Sequence, residues 1–570
     1  MVLPVVSVSM KKKKKLSLPL TLSCAGLLIT GGIAAYWLLT QGRPLSRDLP
    51  LGTKIIPQDA LFTVSLTTDT GQWQKLREFG TKETQKEVDK NLLQWRERLL
   101  SSNGYDFQKD IQPWVGEEVT IAILAPGVDQ PVSKPVANNP SKPADDQEII
   151  MVLPIKKPEA AQEILANLKA PKQRSWSDRI YQGVKIKETQ GEGTDKFSAT
   201  VLLGNLLLIT DNSQAIEKAI DVYKGKQSLA QTPGFADNFP KIAAYKPLAQ
   251  FYVNLPTAAK IASISPKRPL PAQVLAQLKN NQGLAGTFSL ESEGIRLKSV
   301  SWLNPNGQRV LAVENKAGEM QNRLPGDTLI MLSGVNLQRF WGDYISTSQG
   351  NPLSPIPPEA LRNGVKNYTN LDLERDLLTW MNGEFSLSVV PVKATQGGEE
   401  DFRAAFVFMS KTNNRSKAEA TLKQLDEVMK NQYQFQIQET KVGGSPVVNW
   451  VGPFGNLAAS RGWMDGDTVF LALGAPVSEK ILPKPNNTLA GGESFKSTVP
   501  RRPSPSNGQF FIDVETTAKN FPLPSLLPNQ EAWLSATRSI GMSGAVSDER
   551  SNVYDIFFSL KKAGNPEPLP

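Results

Sequence analysis

Asp106-Phe-Gln-Lys-Asp110-Ile-Gln-Pro-Trp114-Val-Gly-Glu117 returns 266 residues later as Asp372-Leu-Glu-Arg-Asp376-Leu-Leu-Thr-Trp380-Met-Asn-Gly-Glu384, with one inserted residue. Other blocks return in the same order. Pro57-Gln-Asp-Ala-Leu61 reappears as Pro325-Gly-Asp-Thr-Leu329, and Gln250-Phe-Tyr-Val-Asn-Leu255 as Gln509-Phe-Phe-Ile-Asp-Val514. The run from Phe235 to Pro240-Lys241 resembles that from Phe495 to Pro500-Arg501, and Gly286 is matched with Gly544. One block would be weak. Several collinear blocks predict an internal duplication, with repeats at 57–305 and 320–562.

Within each copy, strand and helix patterns alternate. Residues 61–67 read LFTVSLT, the period-two pattern of a half-buried strand. Val88, Leu92, Trp95 and Leu99 share one helix face. Residues 118–124 and 149–155 are apolar strand candidates. Between them, 126–147 is rich in Pro, Asn and Asp and is expected to be a flexible loop, with 393–401 as its shorter counterpart. A helix at 158–169, strands at 181–188 and 197–210 with a turn at Asn205, and a helix at 213–223 follow. The second copy offers a helix at 417–430, with Ala418, Leu422, Leu425 and Met429 on one face, and a strand near 469–473. Paired strands alternating with single helices predict an α+β fold, a mixed or antiparallel sheet with helices on one face.

Ahead of the repeats, residues 16–40 carry no charge for 25 residues, long enough to cross a hydrocarbon core of about 30 Å. Lys11 to Lys15 precede this run and Arg43 and Arg47 follow it, which favours a cytoplasmic N-terminus. The expectation is a single-pass membrane protein: a basic N-terminus at 1–15, a transmembrane helix at 16–40 and a tether at 41–56. The bulk then lies in the periplasm or thylakoid lumen, ending in a disordered tail at 563–570. A cleaved signal peptide, whose apolar core runs about 7–15 residues, and lipidation at Cys24 are the alternatives.

The net charge of +9 suggests a nucleic-acid binder until its distribution is examined. Seven of the 64 basic residues, and no acid, lie in residues 1–47, so the remaining 57 face 55 acids. No nucleic-acid partner is expected. Histidine is absent and Cys24 is the sole cysteine. Imidazole and thiol chemistry are therefore excluded beyond the apolar run, and carboxylate, lysine or oxygen-ligated metal chemistry is what remains. No P-loop or strand-placed Gly-x-Gly-x-x-Gly is present, and no cofactor or metal site is expected.

The repeated Asp-x-x-x-Trp pattern has two readings. Trp114 with Glu117, and Trp380 with Glu384, would make two equivalent ligand pockets, an aromatic plate beside a carboxylate. Alternatively the Asp caps a turn, the Trp anchors it in the core and the Glu opens the next strand. Asp465-Gly-Asp467 lacks the later ligands of a calcium loop and reads as a hairpin turn.

The uncharged run, Pro57-Gln-Asp-Ala-Leu61, Gln72-Trp73 followed by Phe79-Gly80-Thr81, and Asp110-Ile-Gln-Pro-Trp114-Val-Gly-Glu117 together resemble the membrane-anchored family of unknown function 3352, common in cyanobacteria. The resemblance implies an extracytoplasmic protein and brings no catalytic residues. The functional expectation is a non-catalytic binding or structural module of the cell envelope, partnered by the membrane and by an envelope protein or polymer. Two alternatives stay open: a hydrolase of envelope polymers using paired carboxylates, and a lipid or ligand carrier.

Overall fold

The computed structural model describes residues 49–99, 105–125, 148–166, 175–190, 199–210, 212–264, 280–348, 356–396, 399–453, 455, 457–521 and 530–567. The expected anchor at 16–40, the basic N-terminus, Cys24 and the 126–147 loop lie outside the described residues.

Among the described residues, twenty strands make one sheet. The first half supplies β1 (Phe62–Thr67), β2 (Glu118–Leu124), β3 (Glu148–Pro154), β4 (Ser175–Tyr181), β5 (Val184–Gln190), β6 (Ala199–Leu203), β7 (Leu206–Thr210), β8 (Ala249–Asn254), β9 (Asn281–Glu291) and β10 (Gly294–Leu303). The second supplies β11 (Ile330–Gly334), β12 (Phe385–Gln396), β13 (Glu399–Lys411), β14 (Gln436–Val442), β15 (Ser445–Val451), β16 (Leu457–Trp463), β17 (Thr468–Leu473), β18 (Gly508–Asp513), β19 (Thr537–Asp548) and β20 (Ser551–Leu560).

From edge to edge the order is β4-β5-β6-β7-β3-β2-β1-β8-β9-β10-β20-β19-β18-β11-β12-β13-β17-β16-β15-β14. Every pairing among the described residues is antiparallel. Read outward from the β10–β20 seam, both halves present their strands in one order. This corrects the expected fold class in two respects: the sheet has no parallel component, and the two units share one continuous sheet.

Local chemistry explains the hairpins. Gln182 and Gly183 both have positive φ, the requirement of a two-residue turn between β4 and β5. The single strand expected at 181–188 is in fact the end of β4 at Tyr181, the turn Gln182-Gly183 and most of β5. Gly204, also at positive φ, and Asn205 turn β6 into β7. Of the loop expected at 393–401, residues 393–396 belong to β12 and residues 399–401 to β13. Asn212 caps the helix Ser213–Tyr223 by accepting from the Gln214 and Ala215 amides.

Helices cover both faces of the sheet, not one. Ile150 and Val152 of β3 pack with Ala215, Ile216, Ala219 and Ile220 of Ser213–Tyr223. Met151 and Leu153, pointing the other way, pack with Trp114 and with Ala161 of the helix Pro158–Ala166. A strand buried on both sides must be apolar at consecutive positions, as the run at 149–153 is.

Among the described residues, no helix is long and apolar enough to cross a membrane. This corrects the expected transmembrane helix and the single-pass membrane localisation. The long described helices, Lys82–Leu99 and Arg415–Tyr433, are charged along their length.

Beyond β20 the chain turns back onto the first half. Gly80 donates its amide to the Lys561 carbonyl, and Ala563 donates to Glu78. Residues 563–567, where a disordered tail was expected to begin, receive side-chain donors: Gln85 to the Gly564 carbonyl at 3.1 Å and Arg77 to the Glu567 carbonyl at 2.5 Å.

Candidate functional site

The repeated tryptophan motif folds the same way twice. Asp106 accepts from the Lys109 amide and Asp110 from the Asp106 amide, closing the turn Phe107–Ile111. Trp114 then donates its indole N–H to the Asp110 carbonyl at 2.6 Å. In the second half, Asp372 accepts from Arg375, Asp376 from Asp372, and Trp380 donates to the Asp376 carbonyl at 3.1 Å. Each indole is 1% exposed, and the two lie in separate cores. Neither ring presents a face to solvent, so the geometry gives both tryptophans the anchoring task.

The acids beside them also serve the backbone, with one change of partner. Glu384 is buried and accepts from three successive amides, Gly318 at 2.8 Å, Glu319 at 2.9 Å and Met320 at 3.2 Å. Its counterpart in the first half is Glu118, not Glu117. Glu118 accepts from the Leu51 amide at 2.6 Å, at the start of the short helix Leu51–Lys54. Glu117 is exposed and contributes its carbonyl to the Thr68 amide. Burial pushes the Glu118 carboxyl up, against the Leu51 hydrogen bond, with the neighbouring Glu117 charge adding to the rise. Asp465 accepts from the Asp467 and Thr468 amides, the hairpin turn expected there.

The ladders identify a different place where the halves meet. Leu66 pairs with Ala249, Ala249 with Phe288 and Phe288 with Leu297. Gly334 pairs with Gly508, Gly508 with Gly544 and Gly544 with Tyr554. Leu297 and Tyr554 therefore hold the same position in the two halves, and so do Lys298 and Asp555. Gly544 stands at the place of Phe288, which corrects its match with Gly286. Across the seam Leu297 faces Ile556, Ser299 faces Tyr554, and Lys298 faces Asp555. The seam thus has a local two-fold relation centred on the last pair.

Over this centre lies a cleft of about 680 Å³. Its floor comes from Ser289 and Glu291 of β9, Arg296 and Lys298 of β10, and Asp555 of β20. Its walls come from both halves, Ala244 and Tyr245 on one side and residues 496–502 on the other. The second wall lies directly on β19 because residue 541 is glycine. A Cβ there would stand 2.6 Å from the Thr498 carbonyl oxygen. The Thr498 and Ser539 hydroxyls fix the same contact at 2.7 Å.

Arg296 organises the floor. Its Nε and Nη2 donate to the two Glu291 oxygens, and its Nη1 donates to the Asp555 oxygens at 3.1 and 3.2 Å. The guanidinium also lies over the Phe557 ring, 5.5 Å from its centre. Burial pushes the Asp555 carboxyl up to about 6, although Arg296 and Lys298 pull the other way. Lys298, Lys496, Arg501 and Arg502 form no ion pair among the described residues. The cleft holds five cations and two acids.

None of these cleft residues was a sequence candidate. The block Pro500-Arg501 was legible as a repeat element, but nothing in the chain order brings it to Arg296. Among the described residues no cluster of three or more acidic, cysteine or histidine ligands is placed to hold a metal ion.

A family model described as "Protein of unknown function (DUF3352)" matches residues 21–560. No curated protein matches the chain. Among solved structures, crystal form III of TP0453 is similar over 46% of this chain and 83% of its own, at 9% identity and a TM-score of 0.24. Crystal form I of TP0453 covers 45% and 79%, at 10% identity and a TM-score of 0.23. A likeness at this level carries no inference about fold or function.

Proposed function

The chain belongs to the protein family of unknown function DUF3352, and on that footing we propose that it is a non-catalytic binding module whose ligand occupies the cleft over the β10–β20 seam. The observation that supports this reading is the cleft's construction: one floor and two walls, contributed by both halves, around a volume suited to a small ligand or a single protruding segment. The family match adds no activity, and the reading rests on the geometry alone. A duplicated unit that joins its halves edge to edge creates such a cleft on its own two-fold centre.

A carboxylate-pair hydrolase deserves comparison, because Glu291 and Asp555 share the cleft and Asp555 has a raised pKa. Arg296 bridges the two, engaging both oxygens of each. A general acid and its partner must face substrate across the scissile bond, and these face one guanidinium. Binding is the better reading.

The test is ligand screening of the full chain by saturation-transfer NMR, repeated on Ser289→Trp. Ser289 is half-buried in the floor, opposite Arg296 in register, so an indole there fills the cleft. Specific ligands are expected to lose binding in the variant while its melting temperature holds. Hits that bind the variant unchanged would place the site elsewhere and sink the proposal.

A further inference from the structure

We infer that the cleft takes an oxyanion of the phosphate class bearing at least two negative charges, an inference that rests on the cleft being the binding site. The argument is one of charge placement. Residues beyond 47 are nearly neutral as a whole, with 57 basic and 55 acidic residues. The cleft departs from that balance, with five cations against two acids.

The distribution inside the cleft is uneven. Both acids are spent on Arg296. That arrangement leaves Lys496, Arg501 and Arg502 on the wall without a carboxylate partner among the described residues, and leaves Lys298 on the floor only the through-space attraction of Asp555, which Arg296 already engages. Like charges brought together without counter-charge repel, and a concave, partly low-dielectric site concentrates their field. An anion entering the cleft relieves that repulsion.

The residue types narrow the anion. Two adjacent arginines offer planar forks of N–H donors, which match tetrahedral and carboxylate oxyanions bidentately. Lys298 and Lys496 add point charges, Lys298 from the floor and Lys496 from the wall. The Ser289 hydroxyl also lines the cleft and is able to donate to a further oxygen. Three unpaired cations, with Lys298 only partly balanced by Asp555, suit a di- or trianion better than a single carboxylate. Glu291 and Asp555 hold the Arg296 guanidinium on the floor and offset its charge, so it adds less to the cleft's field than a free cation would.

The experiment uses inorganic pyrophosphate and the full chain, read by isothermal titration calorimetry. Saturable binding is expected, weakening steeply as salt rises. Arg501→Gln/Arg502→Gln is expected to weaken it about tenfold or more, and adding Lys298→Gln to weaken it again. Arg501 and Arg502 are exposed, so the double variant keeps its fold, checked by an unchanged melting temperature. Sedimentation with vesicles of phosphatidic acid and phosphatidylcholine separates the sources. Binding to these vesicles assigns the phosphate to a lipid headgroup, and binding to pyrophosphate alone assigns it to a soluble ester. No binding to either probe, or equal binding by the triple variant, overturns the inference. If a neutral or cationic ligand is nevertheless lost in Ser289→Trp, the cleft remains the site and only the anion assignment falls.

Discussion

Lys298 and Asp555 hold the same position in the two halves and face each other across the seam. In a symmetric dimer of identical chains, the residue at this point would meet its own copy. Lysine would oppose lysine, or aspartate aspartate, and like charges directly opposite destabilise a strand pair. A single chain carrying both halves escapes that constraint, because each position diverges on its own. The same freedom gave one half Arg296 and left the matching place in β20 to Val553.

Stability should depend on pH through Asp555. Its pKa of about 6 lies above the ordinary 3.8, so the folded protein holds this proton more tightly than the unfolded chain. The group's favourable contribution is complete below about pH 4 and is lost as pH rises through 6. Arg296 and Lys298 from β10, Glu291 from β9 and uncharged Ser543 from β19 face it. Urea unfolding of wild type and Asp555→Asn between pH 4 and 7 should give curves that diverge by on the order of 2 kcal/mol across this window. Parallel curves would show that Asp555 titrates normally.

The same proton should tune the cleft. Sulfate keeps its two charges throughout this range, so its affinity reports the protein alone. Calorimetry should find sulfate binding tighter at pH 5 than at pH 7 in wild type, because neutral Asp555 leaves Arg296 less compensated. Asp555→Asn should flatten that dependence.

The two backbone-clamping glutamates should differ in weight. Glu384→Ala strands three amides under a buried site, where each unsatisfied donor costs about 1–3 kcal/mol. Glu118→Ala strands one. Glu117→Ala removes only an exposed like charge beside Glu118. Chemical denaturation should rank the losses Glu384→Ala, Glu118→Ala, Glu117→Ala, with the last near zero. A large loss for Glu117→Ala would mean that the register relating Glu118 to Glu384 is wrong.

Gly541→Ala should be costly. The added methyl would meet the Thr498 carbonyl carbon and oxygen and the Val499 Cα, all within 2.7 Å, and backbone cannot step aside as a flexible side chain does. A loss of about 2–4 kcal/mol is expected, with weakened cleft binding as the wall is pushed off β19. Gly466→Ala, in open space, is the control.

Much of this architecture was legible one element at a time. The alternation at 61–67 and the helix at 213–223 announced themselves because local periodicity and an Asn cap determine them. Ala418, Leu422 and Leu425 are buried as their spacing required. What could not be read was register over long separations. Runs such as 149–153 look alike for one-sided and two-sided burial, so the second layer of helices was invisible. The Asp-x-x-x-Trp pattern was visible, but its use was not: a buried indole bonded to its own turn has the same sequence as one that stacks on a ligand. Glu117 was chosen because it follows glycine, as Glu384 does, whereas strand pairing assigns the role to Glu118. The cleft depends on Arg296 meeting Asp555 across 259 residues, and no local pattern encodes that meeting.

The seam also sets an order of events during synthesis. β20 leaves the ribosome after every other described strand, yet it belongs at the middle of the sheet, against β10. Until it arrives, the nascent first half carries a ten-residue strand with a raw hydrogen-bonding edge, open to any neighbour that offers a matching one. A messenger cut short before residue 551 would leave that edge permanently open, so its products should clump and demand chaperones in a way that an equally long loss elsewhere would not.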